Sequence, residues 1–325
     1  MGGRLALGAG MLLGLAYDSN RRAAQAELDN PPIGRMIDLS DGSRLHYIER
    51  GSGPPVLLIH GALMQAEDMA MSLLGPLSAN YRTIVIDRPG HGYSTRPAQF
   101  VSTTSASMAG QARMIHEAMG LLGVEKPIIV GHSLGGTVAL AYAVQFPEHV
   151  GGIVSLAGYC FPTPRFDLMP IMLNGVPMVG PISAHTMSAV FGRMYLSAMI
   201  DRIFSPDPVP DYFQERFPGG MLLRPKQLCS NGEDFSAMVA GAASMYHRYP
   251  QIQVPVAILS GSEDRIVWPQ YHAKPLHKIV RGSTLELLPG VGHMLHHART
   301  DAVVAAIHRI AERVDERVGK LGLTG

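Results

Sequence analysis

The stretch Pro127-Ile128-Ile129-Val130-Gly131-His132-Ser133-Leu134-Gly135-Gly136 constrains this chain more than any other. An apolar, β-branched run enters a Gly-x-Ser-x-Gly turn, and an Ala-rich helical pattern leaves it. Strand, sharp turn and helix in that order present a serine at the end of a buried strand. Such a turn needs neighbours without bulk. Gly131 and Gly135 supply them, so the helix can pack close beneath the turn. The turn also sets Ser133 near a helix N-terminus, where free N–H groups and the helix dipole favour negative charge. That suits an attacking alkoxide and the oxyanion that follows. The competing reading is a chance match in a chain with 36 glycines among 325 residues. The strand before and the helix after argue against it.

Strand and helix patterns alternate through most of the chain. Residues 35–39 and 44–50 read as an edge hairpin turned at Ser40-Asp41-Gly42-Ser43. Val56-Leu57-Leu58-Ile59 and Ile84-Val85-Ile86 are continuous apolar runs, typical of strands buried on both faces. Helices are expected at 66–79 and 107–122; in the second, Met108, Ala112, Ile115, Met119 and Leu122 recur at three-to-four spacing. Strands at 150–156, 254–260 and 284–288 and a helix at 269–280 follow. A last helix carries Val303, Ile307, Ile310, Val314 and Val318 on one face behind a cap at Thr300 or Asp301. This order predicts an α/β fold with a mainly parallel sheet and helices on both faces. Residues 29–160 and 254–325 would form that core. Residues 161–253 differ in kind, with many prolines and methionines and few strand-like runs, and read as an inserted, mainly helical cap. Its methionines either fill the cap's own core or line an apolar pocket between cap and sheet.

Residues 1–28 read as a leader outside the fold. Arg4 precedes thirteen apolar residues, 5–17, which fit a signal-peptide core and are short for a spanning helix. Ala24-Gln25-Ala26 resembles a cleavage site, but Arg21 and Arg22 lie between. An uncleaved membrane anchor is the alternative, with Gly10-x-x-x-Gly14 letting two such helices approach. Either predicts an exported or membrane-attached protein; a wrongly assigned start or a buried N-terminal helix is the remaining reading. With 27 basic and 26 acidic residues, the net charge of +1 gives no electrostatic basis for a nucleic-acid partner. Cys160 and Cys229 fit two buried thiols or one bridge, and no metal pattern.

A serine is a poor nucleophile at neutral pH unless a base reaches its hydroxyl and an acid holds the base's tautomer. Such partners are expected in loops at the carboxyl ends of later strands. The loop after 254–260 reads Gly261-Ser262-Glu263-Asp264-Arg265. Asp264 is the expected acid, with Glu263 its adjacent competitor. The loop after 284–288 reads Pro289-Gly290-Val291-Gly292-His293-Met294. His293 is the expected base, with His296 and His297 nearby alternatives. The loop after 150–156 offers no carboxylate. Most of the 14 histidines, among them His46, His116 and His308, read as structural. An oxyanion hole is expected from the backbone N–H groups of Leu134 and of Ala62, the latter in His60-Gly61-Ala62-Leu63.

Over roughly residues 35–318 the chain resembles the α/β-hydrolase family. The resemblance is carried by His60-Gly61, Asp87-Arg88-Pro89-Gly90-His91-Gly92-Tyr93-Ser94, Gly131-His132-Ser133-Leu134-Gly135-Gly136, Gly261-x-x-Asp264 and Gly290-x-Gly292-His293. It implies an eight-stranded, mainly parallel sheet, a cap inserted after the sixth strand, a Ser133–Asp264–His293 triad, and neither metal nor organic cofactor. Serine at 133 disfavours members with aspartate nucleophiles. The expected function is hydrolysis of a small-molecule carboxylic ester with an apolar acyl or alcohol part. The same triad also fits cofactor-free haloperoxidases, carbon–carbon bond hydrolases and acyltransferases. A non-catalytic binding or scaffold protein would not need serine, acid, histidine and oxyanion donors together.

Overall fold

The computed structural model describes residues 2–97 and 105–322. The side chains of residues 2–6, 318 and 320–322 lie outside that description, including Arg4 and Leu5 of the leader and Val318 of the C-terminal stripe. Among the described residues eight strands form one sheet: β1 (Arg35–Asp38), β2 (Arg44–Arg50), β3 (Pro55–Ile59), β4 (Arg82–Ile86), β5 (Ile128–His132), β6 (Gly152–Leu156), β7 (Val256–Gly261) and β8 (Thr284–Leu288). Their spatial order is β1-β2-β4-β3-β5-β6-β7-β8. The β1–β2 and β2–β4 pairings are antiparallel and all others are parallel. The expected α/β class and mainly parallel sheet are therefore present.

The apolar runs are continuous because both faces of the sheet are covered. Leu57, Ile84, Ile129 and Ile153 face one core cluster, with the helices Met108–Leu121 and Leu134–Gln145. Their neighbours Leu58, Val85, Val130 and Val154 face the other, against Val303, Ile307 and Ile310 of the helix Thr300–Gly322. Each such side chain contributes roughly 1.5–3 kcal/mol by leaving water. The helix after the serine turn is buried from Leu134 to Val144, which explains why it is apolar on every side. In β2, Leu45, His46, Tyr47 and Ile48 are all buried, so its alternation is imperfect for the same reason.

Boundaries differ where backbone chemistry intervenes. The strand expected from residue 254 begins at Val256. Pro255 has no N–H to donate, and only its carbonyl joins the ladder, accepting from Ile153 N at 2.9 Å. The helix expected over 66–79 is broken into Ala66–Met69, a π-turn at Ala70–Leu74 and Gly75–Leu77.

Between β6 and β7 lie the longer helices Val179–His185, Met187–Phe204, Asp211–Arg216 and Pro225–Met245, a mainly helical insertion after the sixth strand. Its methionines divide. Met221, Met238 and Met245 are buried, whereas Met169, Met178, Met187 and Met194 are exposed. Both thiols are free, so the bridge alternative is not formed. Burial pushes the Cys160 thiol up to about 12.

The N-terminal segment packs in part against the insertion. Residues 2–29 form one helix, Gly2–Asp29, and its second half is not outside the fold. Ser19 and Ala26 are buried, Glu27 pairs with Arg224 at 2.7 Å, and Asp18 lies 3.4 Å from Arg193, all against the helical insertion. The helix outlasts the apolar run because Asp18–Arg22 and Gln25–Asp29 side chains bond at i,i+4 spacing. Among the described residues no helix is long and apolar enough to cross a membrane. Leu7, Met11, Leu13 and Tyr17 stand exposed on the first half.

Candidate active site

Ser133 is the single residue between the end of β5 and the helix Leu134–Gln145. Its φ of 52° and ψ of −117° are strained for a side chain with a Cβ, a cost of about 1–3 kcal/mol. Three backbone bonds hold it there: Ser133 N to Leu156 O at 2.8 Å, Tyr159 N to Ser133 O at 3.1 Å, and Gly136 N to Ser133 O at 3.0 Å. The glycines act as the sequence requires. A Cβ on Gly131 would stand 2.3 Å from Gly135 O, and one on Gly135 would stand 2.3 Å from Ile59 O.

Asp264 and His293 are brought together. The Asp264 Oδ2 accepts from His293 Nδ1 at 2.8 Å, and Oδ1 accepts from the N–H groups of Ile266 and Val267 at 2.8 and 2.9 Å. Three donors thus fix a buried carboxylate against the imidazole. Glu263, the competitor, is exposed. Ser133 and His293 line one cavity of about 200 Å³, and Ala62 and Leu134 line it with them. Leu134 opens its helix, so its N–H lacks an intrahelical acceptor. The Ala62 loop passes directly over the turn: a Cβ on Gly61 would stand 3.2 Å from Ser133 Cβ.

His296 and His297 turn away to another carboxylate. Asp68 accepts from His296 Nε2 at 3.3 Å and from His297 Nε2 at 3.0 Å, and the Tyr212 hydroxyl bonds His297 Nδ1 at 2.8 Å. Burial alone would raise the Asp68 carboxyl, but His296 and His297 outweigh it and hold it well below the usual range. One ligand atom from each of these three residues lies within 4.8 Å of the others, a spacing that a metal ion could use. The hydrogen bonds account for the arrangement without one. This cluster reaches the site through His132, whose ring lies 4.4 Å from that of His296 and 4.7 Å from that of His293. His132 Nε2 bonds the His293 carbonyl at 3.1 Å, tying the two loops together.

Sequence reasoning missed the support for the oxyanion loop. Arg88 is fully buried and donates to the carbonyls of His60 and Gly61 at 3.1 and 3.2 Å, and to Asp234 of the insertion at 2.5 Å. His60 Nε2 in turn accepts from Arg88 N at 3.0 Å. Burial, with the Arg88 charge adding to it, pushes His60 down to about 4, so it is neutral at pH 7. The only signal was an arginine inside the Asp87–Ser94 turn, and its partner lies 146 residues away.

A model of the alpha/beta hydrolase fold family matches residues 54–300. The chain is 29% identical over 244 residues to the 2-hydroxy-6-oxononadienedioate/2-hydroxy-6-oxononatrienedioate hydrolase of Paraburkholderia phymatum, covering 69% of this chain and 76% of that one. It is 26% identical over 252 residues to monoacylglycerol lipase abhd6-B of Xenopus laevis, covering 75% and 71%. The solved esterase from Exiguobacterium antarcticum superposes with a TM-score of 0.66 at 21% identity, covering 86% of this chain and all (100%) of that one. That likeness speaks to the fold.

Proposed function

The chain belongs to the α/β-hydrolase family, and from that premise we propose that it is a serine hydrolase of carboxylic esters. One observation carries the reading. A strained serine shares a small cavity with a histidine already bonded to a buried aspartate at 2.8 Å. Ser133 Oγ attacks the ester carbonyl while His293 takes its proton. Asp264 holds the Nδ1–H tautomer and stabilises the imidazolium. The N–H groups of Leu134 and Ala62 receive the oxyanion. His293 then protonates the departing alcohol, and water, activated by the same histidine, releases the acid. Apolar side chains such as Met199, Ile203 and Phe235 dominate the remaining cavity wall, which favours an apolar acyl or alcohol part.

Turnover of p-nitrophenyl acyl esters tests this. Ser133→Ala should lower kcat by roughly 10⁴-fold or more. Equal rates for both proteins would sink the reading. A second reading, carbon–carbon bond hydrolysis, is favoured by the likeness to the Paraburkholderia hydrolase. Activity on a vinylogous 1,5-diketone acid with none on any ester would select it. The exposed apolar leader further favours export or attachment at a membrane surface. Co-sedimentation of the full chain with anionic liposomes, lost on deletion of residues 2–17, would support surface attachment.

A further inference from the structure

The candidate active-site cavity has neighbours of opposite character on two sides. On one side it shares the walls Leu63, Ile171 and Met199 with a groove of about 570 Å³ in the helical insertion. That groove is lined mainly by side chains such as Leu173, Met187, Phe191, Tyr195 and Leu196. Its polar members satisfy one another: Ser188 donates to Asn174 Oδ1 at 2.8 Å, and Ser183 and Ser188 hydroxyls bond at 2.9 Å. Apart from the Tyr195 hydroxyl, the surface left for a ligand is mainly apolar.

On the other side the cavity shares Arg165, Asp167, Arg202 and Ile266 with a crevice of about 530 Å³ that also holds Arg265, Trp268 and Tyr271. Asp167 is already engaged by Arg165 in two bonds of 2.9 and 2.8 Å. Arg202 and Arg265 make no ion pair among the described residues, which leaves three guanidiniums facing one carboxylate. Net positive charge beside the candidate nucleophile, opposite an apolar groove, is a pattern for a ligand with two unlike ends.

Resting on the serine-hydrolase reading, we propose that the substrate is an amphiphilic ester. Its single long apolar chain lies in the groove, and its anionic group, a carboxylate or phosphate, lies at Arg202 and Arg265, with the scissile carbonyl at Ser133 between them. Guanidinium matches either anion through paired, charge-assisted hydrogen bonds. Attack by Ser133 forms the acyl-enzyme and releases the alcohol with the His293 proton. Water then releases the acid, so no redox partner is required.

The test compares two matched pairs on the full-length protein, each below its micellar concentration. 1-Decanoylglycerol 3-phosphate against 1-decanoylglycerol places the charge on the alcohol side. Monodecyl succinate against decyl pentanoate places it on the acid side. In at least one pair kcat/KM should be about tenfold or more higher for the charged ester, the size of one charge-assisted hydrogen bond. Arg202→Gln with Arg265→Gln should collapse that charged-to-neutral ratio toward one. Leu196→Trp should instead lower the ratio of decanoyl to acetyl ester turnover. A native charged-to-neutral ratio of one or less in both pairs, or a ratio that survives the double substitution, overturns the proposal while ester hydrolysis stands. Labelling of Ser133 by a fluorophosphonate without turnover of any of the four esters also overturns it. Neither labelling nor turnover would overturn the serine-hydrolase reading itself.

Discussion

Ser133 can hold its strained backbone only because two glycines leave room for it. Gly135→Ala would set a methyl 2.3 Å from Ile59 O and 2.6 Å from His60 O, both backbone atoms of the β3 end. Those atoms cannot rotate away, so the cost should be at least the roughly 1–3 kcal/mol of an overpacked core, read as a lower urea midpoint, with ester turnover lost as well. An unchanged midpoint would mean that the helix does not sit where described. The two acid candidates separate by the same kind of experiment. Asp264→Asn should lower kcat by about 10⁴-fold, because an amide can accept from the His293 Nδ1–H less well and can impose the other tautomer. Glu263→Gln, on an exposed side chain, should stay within about twofold. Comparable losses in both would contradict the assignment. Ser133, Asp264, His293 and the two glycines were legible because each is a local pattern at a strand end. Arg88, Asp68 and His132 were not. Each acts through a partner distant in sequence: Asp234 for Arg88, the 296–297 pair for Asp68, and the His293 carbonyl for His132.

At the scale of elements, what could be read from sequence follows burial. β3, β5 and β6 are buried along nearly their whole length, and a run of β-branched residues has no other reason to be continuous. The helix expected from residue 269 begins only at Ala273, because the preceding turn is held by a long-range contact: His272 Nδ1 accepts from Cys160 N at 3.1 Å. The extent of the N-terminal helix is illegible in the sequence for a related reason. Its apolar run ends at Tyr17, but the helix continues to Asp29, about three more turns, because that part also packs on the insertion. This gives a truncation prediction. Removing residues 2–17 should leave the urea midpoint nearly unchanged, since the described side chains among them, 7–17, are mostly exposed. Removing residues 2–29 should cost about 1–2 kcal/mol, because Ala26 loses its packing and the buried Arg224 loses the half-exposed Glu27. Equal effects of the two deletions would show that the second half of the helix does not dock.

The molecule as a whole keeps several ionisable groups in the form that burial favours, and this sets its response to acid. His60 and His272 are each pushed down to about 4 by burial, from 6.5 in the open chain. Between pH 6.5 and 4 the unfolded chain therefore binds more protons at these sites, and stability falls as pH falls. Glu67 works in the opposite sense. Burial, reinforced by Asp87, raises its carboxyl to about 7, so its contribution is fully present below 4.5 and is lost as pH rises through 7. The buried His91 and His132 are pushed down in the same sense, so the histidines outweigh the one carboxyl, and acidification from 6.5 to 4 costs roughly a few kcal/mol. Urea midpoints measured across that range should fall, and should fall more steeply in Glu67→Gln. A flat profile would mean that the buried histidines are not held neutral.

The central claim is that Ser133 is an activated nucleophile at the bottom of this cavity. Covalent labelling tests it without knowledge of the substrate. An alkyl fluorophosphonate should modify the native protein once, on the peptide carrying Ser133. Ser133→Ala should take no label, and His293→Ala should take it about 10³-fold more slowly or worse. A native protein that takes no label, or takes it at another residue, would contradict the account.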